Sequence, residues 1–203
     1  MTGKEILINL GNIVLKSTDF TLNPNVLENY QNIYNYYLNK EEAAKSGINT
    51  KKGFIFCGGI GTGKTVAVKV MQQMALRING LEDNVLSIIH INDVMKGYKE
   101  NESELSSLCG YDKKMDICFD ELGFEAIQKH HYGNNISSVI ASLIIDRHRL
   151  FIDTGIKTHF TTNFFIKNPN ADIDILRLYG ERVVDRMKEM CNLINWVGGS
   201  LRK

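Results

Sequence analysis

Phe54-Ile55-Phe56-Cys57-Gly58-Gly59-Ile60-Gly61-Thr62-Gly63-Lys64-Thr65 runs an apolar stretch directly into a turn of the pattern GxxxxGK[ST]. A strand that empties into such a turn, with a helix behind it, is the setting in which the pattern binds phosphate. Backbone N–H groups converge on an anion only where no side chain blocks the approach, and the following helix presents its positive end. Lys64 is then placed to reach the β- and γ-phosphates, and the Thr65 hydroxyl to sit on Mg²⁺. Val66, the next residue, completes the cradle and opens the helix. Over residues 66–78, Ala67, Val70, Met71, Met74, Ala75 and Ile78 form one helical stripe that ends at Gly80.

The chain has 203 residues, 43% hydrophobic and 23% charged, enough for one buried core of ordinary composition. A net charge of +1 supplies no global basic field, so any nucleic-acid binding must come from a local patch or from several assembled copies. Cys57, Cys109, Cys118 and Cys191 show no CxxC spacing and read as small core residues of a reducing compartment. No uninterrupted apolar stretch approaches the length of a membrane span, and the expected location is cytoplasmic.

The first twenty residues are weakly patterned. Asn23-Pro24 is a plausible helix start, and Val26, Leu27, Tyr30, Ile33, Tyr34, Tyr37 and Leu38 then follow a helical period. That spacing assigns the tyrosines to core packing rather than base stacking. Residues 40–52 read as a polar loop. Further strands are expected at 85–91, 116–120, 157–161 and 192–197, with a helix capped at Asn92-Asp93 and another over 139–152. This alternation predicts a single α/β core over 51–203 in three α/β/α layers around a five-stranded parallel sheet. Residues 1–50 form an N-terminal segment whose one amphipathic helix either packs on the core or docks a partner.

The apolar run at 117–119 delivers Asp120 and Glu121 to a strand end, the arrangement of a Walker B site. Asp120 can hold Mg²⁺ through water while Glu121 orients the attacking water. The strand at 157–161 leads into Thr161-Thr162-Asn163, and in a parallel sheet its end lies on the edge that carries the phosphate loop. Asn163 can therefore aim its amide at the γ-phosphate or the water. Arg182 and Arg186 stand four apart on one face of a helix; periodicity alone makes that a solvated face with Glu181 and Asp185 as local partners.

Taken together, five blocks resemble the DnaC-type helicase loaders and IstB-type transposition ATPases, a branch of the AAA+ P-loop proteins: GGIGTGKT at 58–65, CFDELGFE at 118–125, IIDRHR at 144–149, HFTTNF at 159–164 and YGERVVDRM at 179–187. The ending Trp196-Val197-Gly198-Gly199-Ser200-Leu201-Arg202 looks like the family's closing aromatic-x-Gly-x-Ser-x-Arg, and the resemblance covers about residues 25–203. It implies an AAA+ RecA-like core with a small or absent C-terminal lid, and ATP with Mg²⁺ as ligands. It makes Asn163 the sensor 1 residue and replaces the periodicity reading of the two arginines: Arg186, with Arg182 beside it, becomes the finger that acts on a neighbour's nucleotide. Arg202 is a further γ-phosphate contact, weighed equally against a basic chain end. A finger in trans implies a head-to-tail homo-oligomer when ATP is bound, and weak ATPase activity in the monomer.

The same resemblance implies a role in DNA replication, with a replicative helicase as partner and single-stranded DNA as a weak ligand of each subunit. Its DNA-contact region here holds Lys96, Lys99, Lys113 and Lys114 but also Glu100, Glu102 and Glu104, so such binding should depend strongly on salt. A transposase in place of the helicase is the alternative partner. From other classes come a small-molecule kinase and a nucleotide-switched interaction module with negligible turnover. His130-His131 read as an exposed loop, because adjacent histidines point apart and no carboxylate or cysteine sits at ligand spacing. Arg147 and Arg149 read as the polar end of a helix.

Overall fold

The β-branched and aromatic runs become five strands: β1 (Gly53–Cys57), β2 (Ser87–His90), β3 (Ile117–Leu122), β4 (Thr158–Thr162) and β5 (Cys191–Asn195). The computed structural model describes residues 2–79, 86–100, 115–127, 136–171 and 173–198. All strand pairs are parallel, in the order β2-β3-β4-β1-β5. Because β4 lies between β1 and β3, the C-terminal ends of all three share one edge of the sheet. Strands β1 and β4 are buried along their whole length, as a sheet covered on both faces requires.

One face carries α1 (Gly3–Leu15), α2 (Leu27–Leu38), α3 (Lys40–Lys45) and α4 (Lys64–Asn79), whose apolar sides close on Phe54, Phe56, Cys118, Ile194 and Trp196. The other carries α5 (Ile91–Glu100), α6 (Phe124–Ile127), α7 (Ile136–Thr154), α8 (Ile175–Tyr179) and α9 (Glu181–Met190), closing on Ile55, Cys57, Ile117, Phe119 and Phe160. This is the expected three-layer α/β/α sandwich.

Three local expectations are corrected. Residues 3–15 are helical, opened by a capping box in which Thr2 and Glu5 satisfy each other's backbone N–H groups. Leu7 and Leu10 are buried, and Gly11 lets the Phe20 ring press on the helix where a Cβ would stand 2.1 Å from it. Within the expected loop at 40–52, Asn39 caps the short helix α3 through the Glu42 N–H, and Ala43 is buried. Arg147 is fully buried instead of exposed at a helix end. Its guanidinium donates to the Thr158 hydroxyl and to the carbonyls of Met115 and Lys157, tying together the starts of β3 and β4. The tyrosines of α2 pack as expected: Tyr30 and Tyr36 are buried, and the Tyr36 hydroxyl donates to the Lys52 carbonyl at 2.7 Å.

His159, buried at the middle of the sheet, accepts the Phe54 N–H on Nδ1 at 3.1 Å. Burial lowers its pKa to about 3, with Lys157 and Arg147 adding to the shift, so it serves as a neutral acceptor that stiffens the strand pair behind the phosphate loop.

Candidate functional site

Residues 58–63 turn from β1 into α4 with Gly61 at φ 78° and Gly63 at φ 95°, values that a side chain disfavours. Gly58 is required for a different reason: a Cβ there would meet the Trp196 carbonyl at 2.1 Å. Trp196 braces the loop from below. Its N–H donates to the Cys57 carbonyl at 2.6 Å, and its indole N–H donates to the Thr62 carbonyl at 2.8 Å. Edge-on contacts with Tyr30 and Phe56 hold the ring.

Lys64 is 6% exposed, and its ammonium donates to the carbonyls of Gly58 and Gly59 and to Asn163 Oδ1 at 2.7–2.9 Å. Asn163 at the end of β4 thus reaches the phosphate loop directly. The Thr65 hydroxyl lies 3.1 Å from both carboxylate oxygens of Asp120. A hydroxyl and a carboxylate side by side are hard oxygen ligands of the kind Mg²⁺ takes, and the buried ammonium is the charge that phosphates need. The residues present fit the Mg²⁺–nucleotide pair.

In a regular strand Asp120 and Glu121 would face opposite sides of the sheet. Here the β3–β4 register shifts between Phe119 and Leu122, and Glu121 takes φ 63° in the left-handed region. A bulge of this kind re-aims side chains. It lets Asp120 meet Thr65 while Glu121 and Thr65 line one cavity above the loop. A non-glycine residue held at positive φ costs free energy that the surrounding structure must supply, and such residues gather at functional sites. Thr161 supplies part of that hold: its hydroxyl donates to Asp120 Oδ1 at 2.5 Å and accepts the Glu121 N–H at 2.9 Å.

Two residues of the site escaped the sequence reading. Thr161 sits inside a quoted motif, yet its role depends on lying opposite the bulge. His90, the last residue of β2, pairs in register with Asp120 and places Nε2 3.0 Å from Glu121 Oε2. Its Nδ1 accepts the Asn92 N–H at 3.0 Å, which assigns the ring proton to Nε2 and makes His90 the donor to Glu121. The only advance signal was a histidine ending an apolar run.

Above the loop lies a cavity of about 960 Å³, lined by residues 60–66, Glu121, Thr161 and Asn163 and closed on its far side by Leu15, Tyr30 and residues 19–24. The N-terminal segment therefore forms one wall of the site. Arg182 and Arg186 do not line this cavity. They lie on α9, with Arg182 exposed, Arg186 partly buried, and Arg186 Nη1 donating to the Arg182 carbonyl at 2.9 Å. Arg202, Lys113 and Lys114 and the His130-His131 pair fall outside the described residues.

No protein-family model and no curated protein matches the sequence. Solved structures do match. The chain superposes on the DnaC helicase loader with a TM-score of 0.60 at 19% identity, covering 88% of this chain and 93% of that one. DnaI gives a TM-score of 0.60 at 15% identity, with 94% and 93% covered. The fold is that of the DnaC helicase loader and DnaI. The replication initiator DnaA bound to AMPPCP and single-stranded DNA matches at a TM-score of 0.53 and 11% identity, over 87% of this chain and 48% of that one. Among the described residues no helix is long and apolar enough to cross a membrane.

Replacing Lys64 by Ala removes a buried charge from the turn between β1 and α4. Charge-assisted hydrogen bonds contribute about 1.5–3 kcal/mol each, so nucleotide affinity is expected to fall by roughly 10–150-fold. The one tryptophan of the chain, Trp196, is hydrogen-bonded to the loop, and a titration followed by its emission measures the loss.

Proposed function

We propose that this chain is an ATP-binding and ATP-hydrolysing AAA+ protein of DNA replication that loads a replicative helicase on single-stranded DNA. The observation that carries the ATPase reading is the convergence of Lys64, the Thr65–Asp120 pair, Glu121 and Asn163 on one sheet edge. Fold likeness to the DnaC helicase loader over most of both chains supports the replication role.

The chain's own groups divide the reaction. Loop amides and Lys64 would bind the β- and γ-phosphates, while Thr65 and Asp120 would hold Mg²⁺, which would supply positive charge against the phosphate oxygens. Glu121 leaves His90 and accepts a proton from water as that water's oxygen bonds to the γ-phosphorus and the bond to the β-phosphate oxygen breaks. Asn163 fixes the water or a γ-oxygen. The products are ADP and phosphate. Arg186, with Arg182, stabilises the transition-state charge in the site of the neighbouring copy. Leu15, Tyr30 and residues 19–24, which line the same cavity, would take the nucleobase.

The reading is tested in two arms. Phosphate release should rise with protein concentration and with single-stranded DNA. A Glu121→Gln chain held with ATP should retain a replicative helicase on pull-down and release it with ADP. Release of phosphate indifferent to DNA, together with no helicase retained, overturns the loader assignment.

A further inference from the structure

Tyr179 and Glu125 lie outside the nucleotide cavity, yet both are buried and bonded to each other. Glu125 is fully buried on α6, four residues past Glu121, and receives the Tyr179 hydroxyl on Oε1 and the Gly123 N–H on Oε2 at 3.0 Å. Burial raises the Glu125 carboxyl above the usual range, and these two bonds offset part of that cost. A buried carboxyl with both oxygens occupied is a costly group to keep, so its partners define what it holds.

What it holds is a junction of three segments. Gly123, at φ 94°, has no Cβ; one would come within 2.6 Å of the Phe164 ring and 3.4 Å of Leu178. Phe164 follows Asn163, and Leu178 precedes Tyr179. Helix α8 is also tied to the irregular segment after Asn163 by Ile175 N–H to the Phe165 carbonyl and Leu176 N–H to the Ile166 carbonyl, at 3.1 and 3.0 Å. One short helix is therefore bonded to the stretch behind Glu121 and to the stretch behind Asn163.

Helix α8 connects to α9 through Gly180 alone, at φ 81° and ψ 166°. The far end of α9 runs into β5, whose Cys191 pairs with Gly53 at the start of β1. The N-terminal turn of α9, with Arg182, therefore stands at the same sheet edge as the phosphate loop. Its inner side is fixed by buried Val183, Val184, Met187 and Met190, leaving the arginines on the outer side.

We propose that the buried Glu125–Tyr179 bond, set between the Asp120–Glu121 bulge and the Gly180 link, positions the arginines of α9 for the nucleotide of the neighbouring copy. This rests on the reading of Arg182 and Arg186 as groups acting on a neighbour's nucleotide. Tyr179 and Glu125 are positioning residues and touch no substrate. Glu125 accepts the Gly123 N–H directly after the bulge and the Tyr179 hydroxyl at the end of α8, so the setting of the bulge reaches α8 through that one carboxylate.

A Tyr179→Phe chain should bind nucleotide with unchanged affinity and KM, while turnover in the assembled state falls by roughly 2–30-fold. Glu125→Ala should give the same fall, with no further loss in the double variant. Glu125→Gln, which still bonds Gly123 and Tyr179, should retain turnover. The deciding measurement mixes Tyr179→Phe chains with an excess of Glu121→Gln chains. The sites of the former then face α9 helices with Tyr179 intact, and their turnover should return to the wild-type rate per competent site. Turnover that stays low in the mixture places the effect within the same subunit and overturns the proposal, as does a Tyr179→Phe chain that turns over normally. A chain with both Arg182 and Arg186 replaced by Ala separates the two failures: full turnover in it refutes the trans-arginine reading and the proposal with it. If Tyr179→Phe does not fold, Glu125→Ala enters the same mixing measurement.

Discussion

A Glu121→Gln chain is expected to bind ATP as the parent does and to hydrolyse it about 10²–10⁴-fold more slowly, the range that removal of a general base costs. The amide keeps the size and polarity of the side chain, so the left-handed backbone at 121, the Thr161 bond to its N–H and the Asp120–Thr65 contact all persist. The His90 Nε2–H can donate to the amide oxygen as it does to the carboxylate. What disappears is the ability to take a proton from water. Single-turnover phosphate release checks the rate, and a titration followed by Trp196 emission checks the affinity. Unchanged turnover removes Glu121 from the chemistry, whereas a loss of affinity equal to the loss of rate points to a disturbed loop instead.

The parts of this site that could be read in advance are those written in consecutive residues. The phosphate loop, Asp120-Glu121 and the end of β4 each announce themselves by a strand running into a particular short sequence, and sheet order did the rest by placing β4 between β1 and β3. His90, Thr161, Trp196 and the Glu125–Tyr179 pair act between segments brought together by the fold, with bonded residues 31 to 134 positions apart, and no local pattern records that. Helix α1 was lost because Gly11 interrupts the Leu7–Leu10–Val14 stripe while Ile13 and Leu15 stand exposed off it, and Gly11 is there for the Phe20 ring, a partner visible only in three dimensions. Helix α3 is six residues long with one buried side chain, too little for periodicity to detect. Arg147 shows the opposite failure: a charge in a sequence reads as exposed, and only the converging hydroxyl and carbonyls of β3 and β4 make its burial tolerable.

Replacing Arg186 by Ala should have the larger effect in the assembled state, about 10³-fold or more on turnover, because an arginine that meets the transferring phosphoryl group contributes 10³–10⁵-fold where it acts. The two arginines of α9 are not equivalent. Arg186 folds its guanidinium back along the helix to the Arg182 carbonyl, which carries its charge from the second turn toward the N-terminal turn and the phosphate-loop edge. Arg182 starts at that edge, and its side chain is exposed. A group already held by a backbone carbonyl loses less conformational freedom on engaging a phosphate, so Arg186 is the expected finger, and Arg182→Ala should cost less. Neither arginine lines its own subunit's cavity, and the expected loss therefore depends on assembly. At protein concentrations low enough for monomers, wild-type and Arg186→Ala chains should turn over at the same slow rate and diverge only as concentration rises. Equal loss at every concentration would show that Arg186 supports its own subunit's fold or site, and the head-to-tail arrangement would then have no residue left to act through except Arg182.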